Sequence, residues 1–148
     1  MSDPRADAVL APPLIPSIPY DDAAAAIRWL TDVLGLRLIR KFEMPSGEIA
    51  HAELAWQGSM VFVHSRPPKD NPWCAVGLAS IALAVESASL VDRHYARAVA
   101  ADADIVRPAY YSKTPAFPEG SRQFDVRDPE GNLWTVGTYR PRITSSPR

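Results

Sequence analysis

The sequence predicts an α+β domain made of two tandem βαβββ modules. Three observations carry this reading. The order strand, helix, three strands occurs twice, each helical stripe is preceded by capping residues, and the strand candidates are separated by turn-forming residues.

Residues 14–20 read as a short first strand, with Pro16 and Pro19 marking an edge or irregular position. Asp21 and Asp22 offer an N-cap. Ala23, Ile27, Leu30 and Leu34 then repeat on one helical face, and Gly35 stands where a left-handed residue closes a helix. Strands follow at Leu36–Phe42, Glu48–Trp56 and Ser59–Ser65, reversed at Pro45-Ser46-Gly47 and Gln57-Gly58. A proline-rich connector runs from Arg66, and the order begins again. Ala79–Val85 is a strand, Glu86, Ser87 and Ser89 offer caps, and Leu90, Val91, Tyr95 and Ala98 form the second helical stripe. Ile105–Arg107 is a short strand, and a long polar and aromatic loop then extends to Gly120. Ser121–Arg127 and Asn132–Tyr139 complete the set around the turn Asp128-Pro129-Glu130-Gly131. The two copies are offset by about 65 residues at the start and about 73 at the end, the longer 108–120 loop making the difference. The expected layout is a tail over 1–13, one domain over 14–140 and a tail over 141–148. Within the domain, module one spans 14–65, the connector 66–78 and module two 79–140.

Composition sets limits on function. The 148 residues suffice for one domain with a real core, and 47% hydrophobic with 22% charged residues is ordinary for a globular protein. A net charge of -1 argues against nucleic acid as a main partner, since phosphate binding needs a positive surplus. The single Cys74 cannot form an internal disulfide. No signal peptide and no apolar span of about 18 residues is found, so neither a membrane segment nor an oxidising compartment is expected. A cytoplasmic protein is the resulting expectation. The 15 prolines cluster at loops and edges, dividing the chain.

The stretch Ile18–Leu30 and the hairpin Val126–Tyr139 resemble the first strand–helix and the last hairpin of the vicinal oxygen chelate (glyoxalase/bleomycin-resistance) superfamily. Leu34-Gly35-Leu36-Arg37-Leu38 and Gly58–Val63 fit as well, so the resemblance covers about residues 14–140. It implies a cupped, eight-stranded mixed-sheet domain, usually a homodimer, with a ligand site inside the cup. Metal-dependent relatives place His, Gln or Glu on the first and last strand of each module. Here the matching positions are approximately Ile15, Phe62, Ser80 and Thr135, none of them a usual ligand. The resemblance is therefore to a metal-less branch, with no metal and no other cofactor expected.

His51 and Glu53 alternate on one face of a strand and form a candidate base and orienter. The bland alternative, which alternation alone favours, is a solvated face opposite a packed one of Ala50, Ala52, Leu54 and Trp56. His64, near a strand end, is a candidate hydrogen-bonding group, although a structural or surface histidine is the commoner case. His94 reads as a surface residue, and Cys74 has no neighbour that would make it a nucleophile. Among the aromatics, Tyr110, Tyr111 and Phe117 fall in the long loop, a candidate lid. Trp134 and Tyr139 lie on the last strand, and Trp56 and Trp73 at the end of the first module. Core packing is the competing role for Trp56 and Trp134. Arg122 and Gln123 open the strand after the long loop, and one of them must face inward; Arg122, with Phe124 on the same face, is a candidate anchor for an anion or carbonyl.

Three functions are consistent with these residues. The first is metal-free binding of a small aromatic or carbonyl-containing molecule in the cup, through His64, Tyr110, Tyr111, Arg122, Phe124 and Trp134. The second is a glyoxalase-like lyase, isomerase or dioxygenase, metal-dependent or using His51 and Glu53 as acid and base. The third is a dimeric accessory domain with a vestigial cup. Catalysis itself is left open, and the ligand is not legible in the sequence.

Overall fold

The doubled order is present in a computed structural model that describes residues 9–72, 74–115 and 117–142, the side chain of Phe117 excepted. Trp73, the Phe117 side chain and the tail residues 1–8 and 143–148 lie outside the described residues. The first module comprises β1 (Ser17–Tyr20), α1 (Ala23–Trp29) running into a π-helical turn (Leu30–Leu34), β2 (Arg37–Glu43), β3 (Ile49–Trp56) and β4 (Ser59–Ser65). The second comprises β5 (Ser80–Ala84), α2 (Ala88–Ala100), β6 (Asp104–Thr114), β7 (Phe117–Arg127) and β8 (Leu133–Gly137). Each module folds its strands into one mixed four-stranded sheet, ordered β1-β4-β3-β2 and β5-β8-β7-β6. β1 runs parallel to β4 and β5 parallel to β8, while the remaining pairs are antiparallel.

Local chemistry accounts for the helix ends. The Asp22 carboxylate accepts from the Ala25 amide at 3.0 Å and caps α1. Thr31 Oγ1 donates to the carbonyls of Ile27 and Arg28, both at 3.0 Å, a back-bond that competes with the regular ladder where the helix widens into its π turn. Gly35 ends the turn at φ +86°, a conformation that costs glycine nothing. The Ser87 hydroxyl caps α2 by accepting from the Leu90 amide at 3.3 Å.

One face of each sheet is packed. Ile18, Tyr20, Ala52, Leu54, Val61 and Val63 from the first sheet join Leu83, Phe124, Val126, Trp134 and Val136 from the second in a single core with the helices. At its centre lies the Asp128 carboxylate. Its Oδ2 accepts from the Tyr20 hydroxyl at 2.6 Å, Asn132 Nδ2 at 2.9 Å and Trp134 Nε1 at 3.0 Å. Oδ1 takes the amides of Glu130 and Asn132. The Glu130 carboxylate reaches the amides of Asp21 and Asp22 at 2.6 and 2.8 Å, so the second module's turn also holds the start of α1. The connector passes close by: a Cβ on Gly77 would stand 2.5 Å from the Glu130 carbonyl oxygen.

Two expectations are corrected. The first strand begins at Ser17 rather than Leu14. The stretch 108–120 is not a loop but most of the β6–β7 hairpin, with Tyr110 opposite Gln123 and Tyr111 opposite Arg122. Pro108 is tolerated there because β6 is an edge strand whose ladder slips between Arg107 and Tyr110. Among the described residues, no helix is long and apolar enough to cross a membrane.

α2 is fastened to the second sheet at its rim, where Arg122 NH2 meets Asp92 Oδ1 at 2.8 Å. Truncating this half-exposed pair by Arg122→Ala should cost under about 1 kcal/mol, whereas Trp134→Ala should cost about 3–5 kcal/mol; urea denaturation measures both. Tyr20→Phe removes a donor from a buried carboxylate, and a loss of about 1.5–3 kcal/mol is expected at neutral pH. Burial, reinforced by the Asp128 carboxylate, pushes the Tyr20 phenol far above its ordinary 10.0. Above that pH the unfolded chain releases this proton while the folded one keeps it. The stability that Tyr20 provides is therefore complete below pH 10.0 and falls as pH rises beyond it. The wild-type advantage over Tyr20→Phe should shrink accordingly in alkaline unfolding curves.

Candidate functional site

The sheet faces turned away from the core carry the polar chemistry. On the first sheet, ladder pairing sets Arg40 opposite Glu53, Phe42 opposite His51, Glu53 opposite Phe62, and Phe62 beside Ser17. On the second, it sets Arg107 opposite Asp125, Tyr110 opposite Gln123, Asp125 opposite Thr135, and Thr135 beside Ala82. These are equivalent positions of the repeat. Arg40 matches Arg107, Phe42 matches Tyr110, His51 matches Gln123 and Glu53 matches Asp125. In both modules the guanidinium lies over the aromatic ring, at 4.5 Å from the Phe42 centroid and 5.2 Å from that of Tyr110. A quartet of arginine, aromatic ring, nitrogen-bearing side chain and carboxylate thus occurs twice.

The first quartet contains the predicted pair. His51 Nε2 lies 3.1 Å from Glu53 Oε1, and the ring stands edge-on to Phe62 with centroids 4.7 Å apart. A carboxylate only accepts, which assigns the proton of the neutral ring to Nε2 and leaves Nδ1 as the base. His64 lies on the same face, two residues beyond Phe62. Its Nδ1 is 3.0 Å from the Ser65 carbonyl, the converse assignment, with the Nε2 lone pair open. His64 also lines a cavity of about 520 Å³, together with Ser17, Glu48 and Arg66 where β4 enters the connector.

The second quartet is closed on itself. Asp125, only 8% exposed, accepts from Thr135 Oγ1 at 2.6 Å and from the Tyr110 hydroxyl at 3.2 Å. That hydroxyl in turn accepts from Gln123 Nε2 at 2.6 Å and from the Arg107 guanidinium at 3.1 Å. A smaller cavity of about 370 Å³ runs between the modules, lined by Met60, Trp56, Ile81, Ala82, Ala84 and Arg140.

The other candidates from the sequence lie elsewhere. Arg122 and Phe124 do share a face, but it is the helix side, where Arg122 holds Asp92 and Phe124 is fully buried against Tyr95. Tyr111 lies under the Arg122 guanidinium and is 70% exposed. Trp134 is fully buried on Asp128. The structure therefore brings together His51, Glu53 and, on their face, His64. It sets Tyr110 on the other open face and keeps Tyr111, Arg122, Phe124 and Trp134 apart from both. Sequence reading missed Arg40, Phe42, Arg107 and Asp125, and of the neighbours Arg122 and Gln123 it preferred Arg122, whereas Gln123 stands on the open face. Aligning the two modules strand by strand would have exposed them.

The four positions reserved for metal ligands can now be located by register. Ser17, not Ile15, stands beside Phe62, and Ala82, not Ser80, stands beside Thr135. Serine, phenylalanine, alanine and threonine supply neither imidazole nor carboxylate, so the chain's residues do not fit a family-type metal site. Among the described residues no three His, Cys, Asp or Glu side chains are grouped so as to hold a metal ion.

Comparison with known proteins agrees with this architecture. Solved structures similar to the chain include TioX from Micromonospora sp. ML1, 34% identical, with 84% of this chain and 95% of that one covered at a TM-score of 0.64. Lactoylglutathione lyase from Agrobacterium tumefaciens is 23% identical over 91% of this chain and 95% of its own, with a TM-score of 0.62, a likeness of fold alone. Comparison with curated protein sequences returned no match. The profile of the Glyoxalase/Bleomycin resistance protein/Dioxygenase superfamily matches residues 11–136, and the chain belongs to that superfamily.

Proposed function

We propose that the chain binds a small aromatic or carbonyl-containing molecule against its open sheet faces, without a catalytic metal. The repeated quartet carries this reading. Each open face offers an aromatic ring under a guanidinium beside a hydrogen-bonding nitrogen and a carboxylate. Aromatic surface with a few convergent polar groups is what a small-molecule site requires. The former metal positions, filled by Ser17, Phe62, Ala82 and Thr135, offer nothing with which to coordinate a metal in the family manner.

A homodimer belongs to this reading. Among the described residues no hydrogen bond, ion pair or ring contact joins the two quartets, and they stand on the outward faces of sheets that share one core. A second copy laying its second-module face over the first-module face would enclose the ligand. It would also cover β2, an edge strand exposed along its whole length with Phe42 49% accessible.

The contact between His51 and Glu53 favours a second reading, acid–base lyase or isomerase chemistry. In it Glu53 orients the ring and His51 Nδ1 takes a proton from the bound substrate.

Four measurements test these readings. Elemental analysis of protein purified without added metal should find only substoichiometric zinc, nickel, manganese or iron; one tightly held ion per chain overturns the metal-free reading. Light scattering at micromolar concentration should give about twice the 16.2 kDa chain mass. Nitrogen-15 NMR should find neutral His51 protonated at Nε2 and His64 at Nδ1. Glu53→Gln should mix the tautomers of His51 alone. An aromatic aldehyde should shift the His51 and His64 resonances, and turnover of it that fails in both Glu53→Gln and His51→Gln would establish the catalytic reading.

A further inference from the structure

A groove of about 420 Å³ lies at one end of the first sheet, where the end of the first helix, α2 and the β3–β4 turn meet. Arg37, Trp56, Gln57, Val85, Leu90 and His94 line it, so both modules contribute. The Trp56 and His94 rings stand 5.2 Å apart, inclined at 49°, and form an open aromatic wedge rather than a closed stack. Trp56 is fixed by its Nε1 bond to the Ala84 carbonyl at 2.9 Å. Val85 and Leu90 add apolar surface. Neither belongs to the quartets, and no quartet residue lines the groove.

Trp56 and Gln57 both donate to the Ala84 carbonyl, whereas two other side chains of the lining are uncommitted. Among the described residues, neither ring nitrogen of the half-buried His94 has a hydrogen-bond partner, and Arg37 makes no ion pair or hydrogen bond. The charge around them is one-sided. Arg37 lines the groove, Arg93 and Arg97 act on His94 from its own helix, and no Asp or Glu lines the groove. Burial first, then Arg97 and Arg93, hold the His94 imidazole below its ordinary range.

We propose that this groove is a binding site for a planar aromatic carboxylate, its ring seated on Trp56 and His94 and its carboxylate paired with Arg37. An arginine fork matches a carboxylate bidentately, and the aromatic wedge accepts a flat ring on its faces. A neutral aromatic would leave Arg37 unused, and a cation would be repelled by the surrounding guanidinium groups.

The probe is 1-naphthoate, with 1-naphthalenemethanol as the uncharged control. The chain's three histidines report position: His51 and His64 lie on the open face, His94 in the groove. Naphthoate should shift the Cε1 proton of His94 and leave those of His51 and His64 in place. It should bind at least about tenfold more tightly than the alcohol. Arg37 is exposed and without partners, so Arg37→Gln should fold normally and bring the acid down to the alcohol's affinity. Equal affinity for acid and alcohol, an unchanged preference in Arg37→Gln, or shifts confined to His51 and His64 would each overturn the proposal. The ligand reading of the open faces is tested by different resonances and stands or falls separately.

Discussion

The Asp128 carboxylate is the constraint on which the arrangement of the two modules depends. A buried carboxylate is tolerable only when its oxygens are fully hydrogen-bonded. Here the donors are the turn's own amides, the Asn132 and Trp134 side chains, and Tyr20 from the opposite module. The same turn sends Glu130 to the Asp21 and Asp22 amides just before α1 and, through Asn132 Oδ1, holds the Ala79 amide where β5 begins. One four-residue reversal thus fixes the end of β1, the start of α1, the entry of β5 and the register of β7 against β8. Because these bonds lie on the packed side of both sheets, the opposite faces are left open. The open faces carrying the quartets are a consequence of this lock.

Much of this was legible in the residues. Asp128-Pro129-Glu130-Gly131 announces its turn, Asp22 and Ser87 announce helix starts, and Gly35 announces a stop, because each acts through its immediate neighbours. Alternation correctly separated Ala52 and Leu54 from His51 and Glu53. It failed at Ala50, which is exposed, because the β2–β3 ladder slips between Phe42 and Glu43. The hairpin over 108–120 was read as a loop because prolines were weighed as breakers. Prolines disqualify a central strand, yet Pro108 lies in the edge strand β6, Pro115 in the turn, and Pro118 in the part of β7 that runs beyond its pairing with β8, where the missing donors are not needed by a second neighbour. Likewise, alternation could place Arg122 with Phe124 but could not say which side of the sheet the helix would cover.

The quartets were hidden for a more specific reason. Their equivalence depends on which residues face each other across β2–β3 and β6–β7, and both ladders contain slips, between Leu38 and Arg40 and between Arg107 and Tyr110. A slip of one residue exchanges the two faces of a strand. Counting along the chain therefore drifts out of phase, and the matching of Arg40 with Arg107 or Phe42 with Tyr110 emerges only from the paired strands. The expected metal positions are displaced for a different reason, by two residues to Ser17 and Ala82 from Ile15 and Ser80: spacing back from each helix does not reveal which residue of β1 or β5 stands beside the last strand.

The repeat gives the two open faces the same plan but not the same capacity. In the second module the carboxylate is saturated from within: Thr135 and Tyr110 donate to Asp125, while Gln123 and Arg107 donate to the Tyr110 hydroxyl. Such a closed network is rigid, and a molecule gains polar bonds from it only by displacing bonds already made. The first module replaces Tyr110 with Phe42 and Thr135 with Phe62, which removes both hydroxyl donors at once. Its carboxylate is left to His51, whose Nδ1 stays open, and Arg40 is held only over a ring. The loss of two hydroxyl donors, Tyr to Phe and Thr to Phe, therefore separates a structural brace from a face with unspent hydrogen-bonding groups. Any polar selectivity of the open faces resides in the first module, with the second supplying a fixed wall.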